Sequence, residues 1–390
     1  MPAFANSARA ALTYVKETTY GTTPASPAMK KLRYTGGDGP QHSKNALISE
    51  ERRSDRQRPI GRHGMNRVGG SIESEGLCLA HQDLIAAALG QDIATLRGFS
   101  SISAATNTLT WATADDSVTR AAGSWITDGF RVGMKVRKNG GGLNNGVFTV
   151  TAVTATKLNF VENVSDETVI TGTHLFEAFM AANGAVESSF SIEREYADIV
   201  QFEVYTGVEI NSWEIRAEID AFVQWTFGLI GSGFSTGTTP LSATPADVDT
   251  DKPLDTYSGD VLEGGAAIDL IRSLSINATN NRRPAEVIGQ NKIVDTTPGR
   301  FTVSGSLRAY FQNAALRNKF TNETESSLSV TFKNPVGDEL YIELPKVLFM
   351  GANKSHGGDD DVMLDMPWEA FYDATTGLTM RVNMIPAVAA

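Results

Sequence analysis

The chain has 390 residues, a formal net charge of -11, 41% hydrophobic and 20% charged residues, and 36 glycines. That length supports two or three domains with real cores, and the balance is that of a folded, loop-rich protein and not a disordered one. The acidity disfavours general binding to DNA or anionic membranes. The single cysteine excludes an internal disulfide, and no run approaches the ~18 apolar residues that cross a bilayer.

In chain order, residues 1–20 lack the charged-then-apolar layout of a secretion signal. A strand is expected over 8–15, a turn-rich stretch over 21–27, and a strand over 31–35 that the breaker Gly36-Gly37-Asp38-Gly39-Pro40 ends. Residues 50–67 are almost devoid of large apolar side chains. They hold Glu50, Glu51 and Asp55 among six arginines, Arg52, Arg53, Arg56, Arg58, Arg62 and Arg67. Such a stretch cannot pack a core of its own, which predicts a long exposed loop or a projecting hairpin. Strand pattern resumes over 67–79, with Val68, Gly70 and Ile72 in one phase, and Cys78 between Leu77 and Leu79 reads as a buried structural thiol. Asp83 to Gly90 reads as a compact helix, with Asp at its start and Gly at its stop.

Residues 95–173 read as a separate β module. Strands are expected over 109–112, 135–138, 147–153 and 158–161, divided by turn signals such as Asp128-Gly129 and Asn144-Asn145-Gly146. Some 80 residues of this kind suit a small sandwich or barrel. Near-continuous alternation over 187–230 predicts an antiparallel sheet with one buried face. Residues 231–259 form a Gly/Ser/Thr/Pro/Asp-rich connector. Beyond it come a polar arm over 280–300, holding Arg282, Arg283, Glu286, Lys292 and Arg300, a short helix over 313–320, and strands over 327–332, 339–344, 362–366 and 378–384.

One signature occurs twice. Val68-Gly69-Gly70-Ser71-Ile72 matches Val303-Ser304-Gly305-Ser306-Leu307 at a spacing of 235 residues, and at the same spacing Asn45 meets Asn280, Glu51 meets Glu286 and Gly64 meets Gly299. Ser189-Phe190-Ser191-Ile192 resembles Ser327-Leu328-Ser329-Val330 at a spacing of only 138, so the first copy carries about 97 residues that the second lacks. The layout that follows is mainly β. A discontinuous unit over 1–90 and 177–232 is interrupted by an inserted module over 91–176, then follow a linker over 233–262 and a second unit over 263–390, each unit with a short helix.

With these residues in view, the chain resembles the major tail tube proteins of long, flexible-tailed bacteriophages. The resembling stretches are Tyr14-Val15-Lys16-Glu17-Thr18-Thr19-Tyr20-Gly21-Thr22-Thr23-Pro24, the segment Glu50 to Gly76, Phe190-Ser191-Ile192-Glu193-Arg194-Glu195-Tyr196, and Asn281-Arg282-Arg283-Pro284-Ala285-Glu286. The insert is similar to immunoglobulin-like decorations of phage tail proteins, through Thr127-Asp128-Gly129-Phe130-Arg131-Val132-Gly133 and Asn145-Gly146-Val147-Phe148-Thr149-Val150. The resemblance implies β-sandwich units whose sheets join into a shared inner β-barrel, and rings that stack into a conduit for genomic DNA. It further implies contact with tape measure, terminator and baseplate proteins, and a place in the virion tail after synthesis in the host cytoplasm. Single-unit members form hexameric rings, so a chain with two units is expected to close a homotrimer with pseudo-sixfold symmetry.

The arm residues Glu50, Glu51, Arg52, Arg53, Asp55, Arg56, Arg58 and Arg62, with Arg282, Arg283, Glu286, Lys292 and Arg300 in the second unit, are read as inter-ring assembly contacts. Both arms are expected to order only on stacking. A phosphate-binding reading of the arginines is opposed by the interspersed carboxylates and by the lack of stacking aromatics, and a solvated loop is the plain alternative. DNA is expected to pass without specific binding.

No catalytic residue, cofactor site or metal site is expected. His42, His63, His81, His174 and His356 are scattered, no nucleophile elbow or phosphate loop occurs, and Gly357-Gly358-Asp359-Asp360-Asp361 lacks alternating calcium ligands. Trp111, Trp125, Trp213, Trp225 and Trp368 read as core, with Trp225 and Trp368 as equivalent positions. The competing function is a virion or cell-surface β-domain protein that uses the insert for adhesion.

Overall fold

A computed structural model describes residues 4–247, 251–268, 270–355 and 361–387. The first strands are β1 (Ala10–Lys16), β2 (Lys30–Leu32), β3 (Gly36–Leu47) and β4 (Arg62–Glu75), followed by helix α1 (Gln82–Ala88). Then come β5 (Arg97–Ser103), β6 (Leu109–Ala112), β7 (Ser117–Arg120), β8 (Lys135–Asn139), β9 (Gly146–Val153), β10 (Lys157–Phe160), β11 (Glu167–Val169) and β12 (Thr173–Ala182). The chain continues through β13 (Ser189–Tyr196), β14 (Gln201–Glu218), β15 (Gln224–Gly231), β16 (Gly233–Gly237), β17 (Asp255–Glu263), β18 (Ala266–Ala267) and β19 (Ile271–Thr279). The last elements are β20 (Arg283–Ala285), β21 (Asp295–Thr297), β22 (Thr302–Tyr310), α2 (Ala315–Thr321), β23 (Ser326–Lys333), β24 (Glu339–Phe349), β25 (Asn353–Ser355), β26 (Met363–Ala370) and β27 (Arg381–Ile385). The fold is mainly β, and all pairings between these strands are antiparallel.

Two runs of strands share one order. The first reads β1-β13-β14-β15-β4-β3. The second reads β17-β23-β24-β26-β22-β19. The distal part of β14, Ser212 to Glu218, joins them by pairing with Thr279 to Ser273 of β19. Eight strands therefore run edge to edge, β3-β4-β15-β14-β19-β22-β26-β24. One face is apolar and continuous with a core that spans both runs, including Ile72, Trp213, Trp225, Phe227, Ile276, Leu307, Met366 and Trp368. Helix α1 is wholly inside it, from Leu84 to Ala88, whereas α2 buries no residue.

The repeated signature lies at matching places on β4 and β22. Val68 and Val303, and Ile72 and Leu307, point into the core, and the serines point away. The two glycines serve different ends. Gly70 sits at φ +125°, where a Cβ would come 2.1 Å from the Gly39 carbonyl, whereas a Cβ on Gly305 would lie 2.4 Å from the Trp368 ring. Gly305 pairs with Trp368 and Gly70 pairs with Leu229, while Trp225 faces Ser74. Trp368 therefore matches Leu229, and the expected equivalence of Trp225 with Trp368 is corrected: each half fills its core with a Trp at a different level of the strands.

Two further expectations change. The Gly36–Pro40 breaker does not end a strand; it opens β3 as a bulge opposite β4, because Gly37 at φ +81° lets the chain pass within reach of the Ser71 carbonyl. The 233–262 stretch is not a bare linker either. It supplies β16, which pairs back on β14, and β17, which pairs with β23.

Residues 102–180 hold a second apolar cluster, centred on Trp111, Trp125, Phe130, Phe148, Phe160 and Phe176. The chain enters it on β5 and returns on β12, which lies antiparallel beside it, with Arg97 opposite Phe179. The end of β12 pairs with β27, Lys135 N–H donates to Asn383 Oδ1 at 3.0 Å, and Arg137 meets Glu339 at 3.0 Å.

Candidate assembly surfaces and channel wall

Alternation along the eight-strand sheet gives it a second, polar face. Small hydroxyl residues dominate its middle: Ser71, Thr226, Ser212, Ser273, Ser275, Ser304 and Ser306. Its carboxylates are Glu73, Glu75, Glu214, Glu218, Asp365 and Glu369, against the cations Arg216 and Arg308. Both cations are held by neighbours on the same face, Arg216 by Glu214 at 2.7 Å and Arg308 by Asp365 at 3.3 Å. Four carboxylates remain without a cation on this stretch, Glu73, Glu75, Glu218 and Glu369, so the surface is hydroxylated, hydrated and net negative. Such a surface repels a polyphosphate and offers it no arginine fork. The sequence reading missed this wall, because it becomes visible only once strand register assigns each residue to a face.

The first polar arm is the tip of the β3–β4 hairpin. Residues 48–61 lie outside any strand and are exposed almost throughout, with Ile60 at 94%. Glu50, Glu51, Arg52, Arg56 and Arg58 are exposed there, Arg53 pairs with Asp55 at 2.9 Å, and Arg62 opens β4. The second arm is built differently. Its base is the two-stranded β20–β21 ribbon, and Arg282 turns inward to Glu209 of β14 at 3.0 Å, both side chains less than 5% exposed. Arg282 is thereby corrected from an outward contact residue to a buried anchor; Arg283, Glu286, Lys292 and Arg300 stay exposed. Asn280 donates to the carbonyls of Ala88 and Ile210 at 2.9 and 3.1 Å. Arg67–Glu286 at 2.8 Å and Asn66 N–H to Asn291 O at 2.8 Å tie the two arms together. Burial pushes the Glu209 carboxyl up to about 7, against the lowering by Thr296 and Arg282. Burial, with Glu209, Asp295 and Glu17 nearby, also raises the Tyr20 phenol.

The stretch around Glu17 has a structural task. Its carboxylate is buried and accepts from Gly21 N–H, Ser189 Oγ, Ser191 Oγ and Gly207 N–H at 2.7–2.9 Å. The N-terminal segment is thereby knotted to β13 and β14. Cys78 is buried, as expected of a structural thiol, and burial raises its pKa.

The histidines do not converge. His42 stacks on Phe234 at 4.4 Å, His63 lies in β4, His174 is buried beside β5, and His356 lies outside the described residues. His81 is enclosed near Trp225 and Phe227, and burial lowers its pKa to about 4. Among the described residues no cluster of three or more His, Cys, Asp or Glu could hold a metal ion. Of the Gly357–Asp361 run only Asp361 is described, and it is exposed. Among the described residues no helix is long and apolar enough to cross a membrane.

No curated protein matches the chain at a significant level. The sequence profile described as phage tail tube protein matches residues 7–370, nearly the whole chain. That family is a structural one of the virion tail and not an enzyme family, and its members assemble into a tube with other tail components. The polar sheet face, the open strand edges and this match lead to one conclusion: the chain belongs to the phage tail tube protein family.

Proposed function

We propose that the chain is a double tail tube subunit, three copies of which close a ring that stacks into the conduit for genomic DNA. The carrying observation is the β14–β19 pairing between two runs of identical strand order. Among the described residues β3 pairs only with β4, and β25, which continues the end of β24 along β26 as Ser212–Arg216 of β14 runs along β15, pairs only with β26. Pairing the β24–β25 edge of one chain with β3 of the next repeats the β14–β19 junction, and three chains of eight such strands then make a continuous barrel. The apolar face of the sheet is already covered by each chain's own core, so the polar face is left to line the lumen.

In this reading the exposed arm residues at Glu50–Arg62, with Arg283, Glu286, Lys292 and Arg300, reach the adjoining ring. The 91–176 module is an immunoglobulin-like insert on the outside, since a lumen sized for duplex DNA has no room for it. Tape measure, terminator and baseplate proteins are the expected partners at the tube's core and ends. The test is electron microscopy of concentrated protein together with the native mass of its rings. Stacked rings of three chains support the reading; rings of six chains, or monomers at all concentrations, overturn it.

A further inference from the structure

The two ends of the eight-strand sheet carry a difference that the internal junction makes interpretable. Inside the chain, the place just before β14 meets β19 is built from Glu187, Gly207, Val208, Glu209, Ser232 and Gly233, and the second arm fills it. Asn280 N–H donates to the Asn211 carbonyl at 2.8 Å, Arg282 N–H donates to Asn211 Oδ1 at 2.8 Å, Ser232 Oγ donates to the Ile293 carbonyl, and Arg282 pairs with the buried Glu209. It is a polar junction.

Counting along the paired strands, the matching place on the second run is Glu325, Lys346, Val347, Leu348, Phe371 and Tyr372. These residues line an open hollow of about 300 Å³ at the β24 edge, and among the described residues no arm fills it. Phe371 and Tyr372 are 38% and 62% exposed. On the first run the segment that corresponds to Asn280–Arg282 is the distal end of β3, where Asn45 keeps the place of Asn280 but Leu47 stands in that of Arg282. Leu47 and Ile48 stand there 60% and 49% exposed. Both halves of the outer junction have thus gained apolar surface together, Leu348 and Phe371 in place of Glu209 and Ser232 and Leu47 in place of Arg282, beside a Lys346–Glu325 ion pair at 2.7 Å.

We propose that the hollow at the β24 edge receives the Leu47–Ile48 shoulder of the β3–β4 hairpin from a second copy of this chain. This inference rests on the ring reading above and adds the chemistry of the seam. An internal junction forms once, at the high effective concentration of a folding chain, and tolerates a buried ion pair. A junction between chains must overcome association entropy, and burying aliphatic and aromatic surface supplies that drive. The difference also rejects wrong pairings. Arg282 set against Val347 and Phe371 would bury a guanidinium without its carboxylate, and Leu47 set against Glu209 would leave the acid unpaired.

The register places Gln41 of one copy opposite Asn353 of the next, as Asn277 lies opposite Glu214 within the chain. Assembled Gln41→Cys/Asn353→Cys protein should oxidise to covalently closed trimers, and buried Cys78 does not compete. Leu47→Asp and Phe371→Ser should each cut ring yield at least tenfold while leaving the monomer's thermal midpoint within a few degrees, because both positions are exposed in the single chain. Normal ring yield from both variants, or rings of the double-cysteine protein that stay uncrosslinked, overturns the proposed seam and leaves the ring itself standing. Wild-type protein that forms no rings overturns both.

Discussion

At the scale of single residues, the sharpest consequences follow from buried ionisable groups. Glu17 accepts four hydrogen bonds in a buried site, so Glu17→Ala strands the Ser189 hydroxyl and two backbone amides and leaves Ser191 only Thr23 as a partner. Unpaired buried donors cost about 1–3 kcal/mol each before relaxation and water entry. A loss of about 3–5 kcal/mol in urea unfolding is expected, with Glu17→Gln recovering part of it. The sequence singled out the Lys16-to-Gly21 stretch only as a likeness, because its partners lie at 189–207 and nothing local reveals them. His81 gives a pH effect of definite sign. Its folded pKa is near 4 against an ordinary 6.5, so the unfolded chain binds the extra proton between those values. The stability that neutral His81 provides is complete above pH 6.5 and is lost towards pH 4, to about 3 kcal/mol. The stability difference between wild type and His81→Gln should shift by that amount across this window. The raised carboxyl of Glu209 acts oppositely and is common to both proteins, so it cancels in the difference. A difference that does not vary with pH would refute the assignment.

Among elements, the repeated Val-x-Gly-Ser strand was legible because both copies must alternate core and surface at one register. The reason for its glycines was not, since each is set by what crosses it in space. Gly305→Ala would put a methyl 2.0 Å from the Ser275 carbonyl and against Trp368. That clash should destabilise by about 2–4 kcal/mol, as overpacking into a filled core does, and a variant with unchanged denaturation midpoint would contradict it. The first arm was also legible, as a stretch too polar to make a core. Its second counterpart was misjudged at Arg282, whose burial depends on Glu209 over seventy residues away in sequence. This asymmetry sharpens the assembly argument. The second arm is anchored within the chain, whereas the tip of the first is held by little beyond its own hairpin, so it is the one free to reach another ring. Deleting residues 52–62 should leave the fold intact and sharply reduce tube length in electron micrographs; tubes of normal length would remove this arm from stacking.

For the whole molecule, composition and strand patterning bounded the answer to a mainly β, acidic protein, but the polar wall proposed to line the lumen depended on pairings no pattern could supply. Glu73, Glu214 and Asp365 are ordinary solvent-side residues until register sets them on one face with Ser275 and Ser306. The proposed insert illustrates the same limit. Its strands were readable from turn signals, and its sequence suggested a separate decorating module. In the fold it is also a brace: it leaves the first run of strands and rests on the second through Lys135–Asn383 and Arg137–Glu339, with Lys135 over the Tyr341 ring at 4.3 Å. The adjacency of Arg97 and Phe179 allows residues 98–178 to be replaced by a short Gly-Ser turn without spreading the strands. Removal would then uncover Tyr341 and Asn383 and free Glu339 of its guanidinium, a loss of about 2–3 kcal/mol from partly buried pairs and packing. For a chain of this size that corresponds to a thermal midpoint lowered by roughly 2–5 °C. The eight-strand wall and both of its edges lie outside the excised segment, so rings should still close at low temperature with the same chain number. Loss of rings in a protein that remains folded would show that the module takes part in assembly itself.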